Sequence, residues 1–310
     1  MGDLLKDKVG IVTGSGRGIG RGVAMLMAAE GAKMVVNDLG GAVDGSGNSS
    51  SPADDVVDEI KAAGGDAVAN YDSVSSMEGG ENIVKTAIDN FGKLDIVVTP
   101  AGILRDRMVF NMTEQEWDDV IAVHLKGTFT VTKFACILFR QQRSGNIITF
   151  SSTSGLYGNS GQANYGAAKD GIAGYTRAIA RDMGRYGVRV NSISPGANSR
   201  MTATVPQSAR DIRASSGISG AARQQPKLEL RREPEDIAPF VTWLASDKAD
   251  GVNGQVFHVT GGEASLMNNP EVARTITTQG RWSVDEIGAM FPGTLGLDLV
   301  NPAPRQAPRE

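Results

Sequence analysis

Residues 9–20 read Val9-Gly10-Ile11-Val12-Thr13-Gly14-Ser15-Gly16-Arg17-Gly18-Ile19-Gly20. Three of the first four are β-branched and apolar, the composition of a short strand buried on both faces. From Ile19 the pattern changes to a helix running to residue 30. Between the two lie Gly14, Gly16, Gly18 and Gly20 at alternate positions. Glycine tolerates positive φ and leaves room for a ligand to touch the backbone. The helix that follows offers unpaired N–H groups and the positive end of its dipole to an anion. Strand, glycine turn and helix in this order, at the start of a chain, point to a pyrophosphate seat. Gly14, Gly16, Arg17, Gly18, Ile19 and Gly20 are therefore expected to bind a dinucleotide. No Gly-Lys-Ser or Gly-Lys-Thr follows, so the turn is not that of a nucleotide triphosphatase.

Outward from this turn, strands alternate with helices. Residues 34–36, 67–69, 96–98, 146–150, 188–193 and 255–259 read as further strands. Helical patterns occupy 52–63, a segment from about 76 to 91, a long stretch from 113 to 142, then 164–186 and 234–245. Ser75 with Glu78 and Thr113 with Glu116 have capping-box spacing at two of the helix starts. Strand–helix alternation implies parallel strands joined by crossover helices, hence an α/β, doubly wound fold. Three segments break the rhythm. Residues 40–51 are rich in Gly and Ser and read as a mobile surface loop. Residues 197–232 read as a substrate lid, and 264–310 as a partly irregular C-terminal extension to a domain of residues 1–263.

Composition narrows the function. The chain has 310 residues, a formal charge of −4, 40% hydrophobic and 21% charged residues. That balance builds a substantial core and lacks the basic footprint of a nucleic-acid binder. One cysteine, Cys136, allows no internal disulfide, and two histidines, His124 and His258, supply no zinc set, so no metal is expected. No targeting segment and no run of about 20 apolar residues is evident, which makes a cytoplasmic protein without a membrane partner the expectation.

Asp38 closes the second strand, where a carboxylate can take the adenosine ribose hydroxyls and repel the extra phosphate of NADP; NAD is expected over NADP. Asp72, after the third strand, is placed to meet the adenine amino group. Tyr165 and Lys169 stand four residues apart, on one helix face. A neighbouring cation favours the phenolate, so Lys169 is expected to lower the Tyr165 pKa from its ordinary value near ~10. Ser151 and Ser152 follow the fifth strand at its carboxyl end, which faces the ligand crevice in open α/β sheets. A hydroxyl there can donate to a developing alkoxide. A serine hydrolase would need a Gly-x-Ser-x-Gly elbow, which is absent.

Taken in order, Thr13-Gly14 through Gly20, Asp38, Ala101-Gly102, Ser152, Tyr165 with Lys169, and Pro195-Gly196 resemble the short-chain dehydrogenase/reductase family over residues 5–262. The resemblance implies a single Rossmann-type domain with a seven-stranded parallel sheet. It implies that Ser152 rather than Ser151 meets the substrate, and that Lys169 also holds the nicotinamide ribose. It adds Ser73, Ala101, Gly102, Pro195, Gly196 and Thr202 to the cofactor contacts. Within the family, Val36 to Gly41, Ala67 to Val74, Gly102 to Arg107, Val123 to Gly127 and Ser154 to Asn159 resemble the (3R)-hydroxyacyl-CoA dehydrogenase part of the type 2 peroxisomal multifunctional enzyme. A 3-hydroxyacyl-CoA substrate is implied, with Arg105, Arg107 and Arg200 available to CoA phosphates. A 17-hydroxysteroid is the alternative substrate, and a non-catalytic NAD-binding scaffold or sensor the alternative class. Two departures stand out. Asn-Asn-Ala-Gly becomes Thr99-Pro100-Ala101-Gly102, losing a backbone donor, and the family's catalytic asparagine becomes His124. A homodimer or homotetramer is also implied.

Overall fold

A computed structural model describes residues 2–197 and 232–302. They fall into two compact units, one comprising the described residues up to 267 and the other those from 268. Residues 198–231 of the expected lid, with Arg200 and Thr202, lie outside the described residues.

The first unit is built on one sheet of strands β1 (Val9–Thr13), β2 (Lys33–Asn37), β3 (Asp66–Asn70), β4 (Ile96–Thr99), β5 (Gly145–Phe150), β6 (Val188–Pro195), β7 (Val256–Thr260) and β8 (Glu263–Met267). Their spatial order is β3-β2-β1-β4-β5-β6-β7-β8. The first seven pair in parallel, and β8 returns antiparallel to β7. The sheet thus has the seven parallel strands of the expectation and one edge strand more. A tight turn through Gly261, at φ +50°, folds β8 back.

Because both faces of the sheet are covered, alternate residues of one strand enter different cores. Val12 of β1 packs with α1 (Gly18–Ala29), α2 (Ser51–Ala62) and α8 (Ala238–Ala245) through Val23, Met27, Val56, Ile60, Val241 and Leu244. Val9 and Ile11 face α3 (Met77–Phe91), α5 (Gly127–Gln142) and α7 (Ala163–Gly184) through Ile83, Ala87, Val131, Phe139, Ile179 and Met183. Remaining short helices are α4 (Glu114–Ile121), joined to α5 by a π-helical turn at Ala122–Lys126, and α6 (Thr153–Leu156). By length and composition Glu114–Gln142 could cross a membrane, contrary to the expectation that no stretch approaches this. Its buried Val131, Ala135 and Phe139 belong to the core against the sheet.

Thr113 and Glu116 form the expected capping box of α4. The α3 cap is Ser76, which accepts from the Gly79 N–H, rather than a Ser75–Glu78 box. In the second unit, α9 (Val284–Met290) starts at a capping box of Ser283 and Glu286.

Candidate active site

All parallel strands end on the same side, so the turns after β1, β2, β4, β5 and β6 converge there. The glycine turn leaves β1 with Gly14 at φ +58° and Gly18 at φ +55°. A Cβ on Gly14 would sit 2.7 Å from the Ala101 Cα, and one on Gly20 would sit 2.2 Å from the Gly14 carbonyl oxygen. A Cβ on Gly16 would meet Pro52 at 2.6 Å and the Asp38 carboxylate at 2.9 Å. The N-cap of α1, Arg17, is extended and gives no side-chain cap, so the first N–H groups of the helix have no side-chain acceptor there. Backbone donors at a glycine-lined helix start are the chemistry a dinucleotide pyrophosphate needs, and the residues present fit it.

Asp38 follows β2 and ties the turn together. Its Oδ2 accepts the Gly16 N–H at 2.8 Å and its Oδ1 the Gly40 N–H at 2.7 Å. Asp72 is braced as well: Asn70 and Asn82 donate their amides to its carboxylate at 2.8 and 3.1 Å. Asn37, which the sequence reading passed over, donates to Asn70 Oδ1 at 2.8 Å and to the Asp72 carbonyl at 2.9 Å. The Ser73 and Ser75 hydroxyls meet at 2.8 Å. After β4, the Ala101 N–H that follows Pro100 reaches Thr13 Oγ1 at 3.3 Å. Gly196, after β6, packs on Thr260 so closely that a Cβ would lie 2.7 Å away.

On the other side of the cleft, Ser152, Tyr165 and Lys169 come together. Ser152 is the extended cap of α6 and accepts the Ser154 N–H at 3.2 Å, and its hydroxyl is close enough to the Tyr165 phenol to act on its pKa. Ser151 turns away and donates to the Lys169 carbonyl at 2.8 Å. The Lys169 ammonium donates to the Phe150 carbonyl at 2.7 Å and lies 5.6 Å from the Tyr165 ring centre.

The electrostatics correct one expectation. Burial pushes the Tyr165 phenol up to about 12; the nearby Ser152 hydroxyl opposes this and the Asp106 charge adds to it. Burial likewise brings Lys169 down to about 7. A low-dielectric site disfavours both charged forms, and this outweighs the attraction that the spacing of Tyr165 and Lys169 suggested.

His124 lies in the π-helical turn, 1% exposed, with its ring edge-on to Tyr165 at 5.1 Å between centres. Its Nε2 is 2.7 Å from the Ile103 carbonyl oxygen, and Nδ1 has no partner. Burial, and then the Lys169 charge, hold it well below the usual imidazole range, so it is neutral. A Cβ on Gly102 would fall 2.1 Å from the imidazole Cε1, which makes glycine the residue that admits His124 here.

Several positions carry the site without a signal in the sequence. The Asn164 amide donates to the Arg105 and Glu116 carbonyls at 3.0 and 2.9 Å, while its Oδ1 takes the Tyr165 N–H at 2.7 Å. Gln162 bridges Asp106, Ser154 and Asn159. Arg105 and Arg107, expected to be available to phosphates, pair within the chain with Asp119 at 3.3 Å and Glu116 at 2.8 Å.

With this geometry in place, likeness to known proteins becomes informative. A family model described as enoyl-(acyl carrier protein) reductase matches residues 14–263. The chain is 41% identical over 298 residues to a hydroxyacyl-CoA dehydrogenase of Mycobacterium tuberculosis, covering 92% of this chain and 87% of that one. It is 44% identical over 257 residues to the peroxisomal hydratase-dehydrogenase-epimerase of Saccharomyces cerevisiae, 83% of this chain but only 26% of that longer protein. The crystal structure of a short chain dehydrogenase from Mycobacterium avium superposes with a TM-score of 0.79 at 40% identity, covering 98% of both chains.

Proposed function

The chain belongs to the short-chain dehydrogenase/reductase family, and from that premise we propose that it interconverts a 3-hydroxyacyl-CoA and its ketone with NAD. The observation that carries the proposal is the convergence of Ser152, Tyr165 and Lys169, with the Lys169 nitrogen 5.6 Å from the Tyr165 ring centre, together with a glycine turn shaped for a pyrophosphate. When bound, the dinucleotide supplies or accepts the hydride at the substrate carbon. The chain's own groups handle the oxygen. In ketone reduction the neutral Tyr165 phenol gives its proton to the substrate oxygen, and the Ser152 hydroxyl donates to the same atom as charge develops. In alcohol oxidation the phenolate takes that proton back. Lys169, where protonated, stabilises the phenolate, and in the bound state would hold the nicotinamide ribose. His124 positions: its neutral ring packs edge-on against Tyr165 and is anchored to the Ile103 backbone. Asp38, fixed by two backbone N–H groups, keeps a negative charge where the extra phosphate of NADP would come, which supports NAD.

The two directions respond differently to pH. With the phenol at about 12, Tyr165 stays protonated across the neutral range, ready for reduction. Oxidation draws on the phenolate, whose small fraction grows about tenfold per pH unit. From pH 6 to 9, kcat/KM for oxidation is expected to climb while that for reduction does not; a flat oxidation profile would remove Tyr165 as the base.

The substrate is tested by following NADH and NADPH formation with a 3-hydroxyacyl-CoA and with a 17-hydroxysteroid. The expected order places the thioester with NAD first. Faster steroid turnover transfers the assignment to a hydroxysteroid dehydrogenase, and no turnover with either, while NADH still binds, favours the scaffold.

A further inference from the structure

Between β2 and α2 the chain does not run free. The surface loop expected over 40–51 carries a set of hydrogen bonds that shape it. At its base, Gly40 donates to Asp38 at 2.7 Å and Ser49 donates its N–H to the Leu39 carbonyl at 3.0 Å. Gly40, at φ +75°, stands so close to Ser49 that a Cβ would lie 1.9 Å from its carbonyl oxygen. The tip closes on itself: Ala42 donates to Ser46 at 2.8 Å, Gly45 to Ala42 at 2.9 Å, and the Asp44 carboxylate accepts both the N–H and the hydroxyl of Ser46 at 2.9 and 2.7 Å.

The tip also reaches a distant part of the chain. The Leu104 N–H donates to the Val43 carbonyl at 3.1 Å, and a Cβ on Gly45 would touch the Ile103 side chain at 3.2 Å. Residues 103 and 104 follow β4, whereas the loop leaves β2, and in the sheet β1 lies between those two strands. A segment joining the banks from β2 to β4 therefore passes over the end of β1, where the glycine turn begins.

We infer that residues 41–49 form a strap over the adenosine half of the dinucleotide cleft, which parts from residues 103–104 to let the cofactor in or out and so sets its release rate. This rests on the dinucleotide reading of the glycine turn. The far-side attachment comprises one backbone hydrogen bond, the approach of Gly45 to Ile103 and the attraction of the Arg105 charge for the exposed Asp44 carboxylate, few enough to open often, while the ordered tip and base let it re-close as a unit. Product release commonly limits turnover in enzymes with such covers.

The test uses the full chain, NADH as the probe, and two variants that leave the acid–base residues themselves unaltered. In one, residues 42–48 are replaced by Gly-Gly; in the other, Asp44→Ala loosens the tip without shortening it. Stopped-flow fluorescence gives the NADH dissociation rate, and hydrogen exchange follows the Leu104 amide in the free chain. The strap predicts that NADH leaves roughly tenfold faster from the deletion, the ratio matching one lost hydrogen bond. It predicts a smaller rise for Asp44→Ala, with faster exchange at Leu104 in both. Unchanged release and exchange in variants that still bind NADH would overturn the strap and leave the dinucleotide reading standing. Failure of the unaltered chain to bind either NADH or NADPH would overturn both.

Discussion

Tyr165→Phe is expected to cut turnover roughly a thousandfold, about 4 kcal/mol of lost transition-state stabilisation, while NADH binds as before. The substitution removes a single oxygen. That oxygen is the one proposed to exchange a proton with the substrate. The ring remains, and with it the edge-on contact to His124 and the packing with Ile103, Val120 and Ala168. Phenylalanine therefore fills the same volume, and the fold should survive with little change in thermal unfolding. Binding is measured by NADH fluorescence and turnover by absorbance, so a misfolded variant would reveal itself by losing both. Unchanged turnover would take Tyr165 out of the mechanism.

Gly20→Ala should act on the cofactor side of the cleft instead. The added methyl would lie 2.2 Å from the Gly14 carbonyl oxygen and 2.9 Å from the Ser15 Cα. Both are backbone atoms on the turn proposed to carry the pyrophosphate, so the clash cannot be relieved by rotating a side chain. Either α1 moves away from β1 or the turn opens. Overpacking of this kind costs on the order of 1–3 kcal/mol in stability. Displaced N–H groups should weaken NADH binding about a hundredfold, near 2.7 kcal/mol. Gly18→Ala is the informative contrast. Nothing lies within 4 Å of its Cβ position, and its only penalty is the positive φ of +55°. It should bind NADH more tightly than Gly20→Ala does. Equal affinities for Gly20→Ala and the unaltered chain would mean that this turn is not the phosphate seat.

The features that local sequence rules govern were legible before the structure. A glycine turn between a buried strand and a helix, and the capping box at Thr113, depend on residues a few positions apart. So did the pairing of Tyr165 with Lys169, since four residues are one helical turn. Ser76 rather than Ser75 caps α3 because the two hydroxyls are adjacent and only the backbone path selects between them. Strand β8 had a signal in Gly261-Gly262, a hairpin dipeptide, but the alternation that follows it is short and weak.

What escaped is what depends on burial or on distant partners. Spacing revealed that a cation stands near Tyr165, but not that burial raises the phenol and lowers the amine together. The anchoring of Tyr165 by Asn164 uses carbonyls of Arg105 and Glu116, dozens of residues away. Residues 40–51 have the composition of a flexible linker, yet the Val43–Leu104 hydrogen bond holds them across the sheet. Arg105 and Arg107 looked free only because Asp119 and Glu116, which neutralise them, sit on the next helix.

One structure bears most directly on all of this: the chain crystallised with NADH and a non-reacting ketone analogue. Density for the diphosphate against the backbone of residues 14–20, with the Tyr165 hydroxyl and Ser152 both on the ketone oxygen, is the predicted result. A dinucleotide seated elsewhere, or a ketone whose oxygen faces neither hydroxyl, would contradict it.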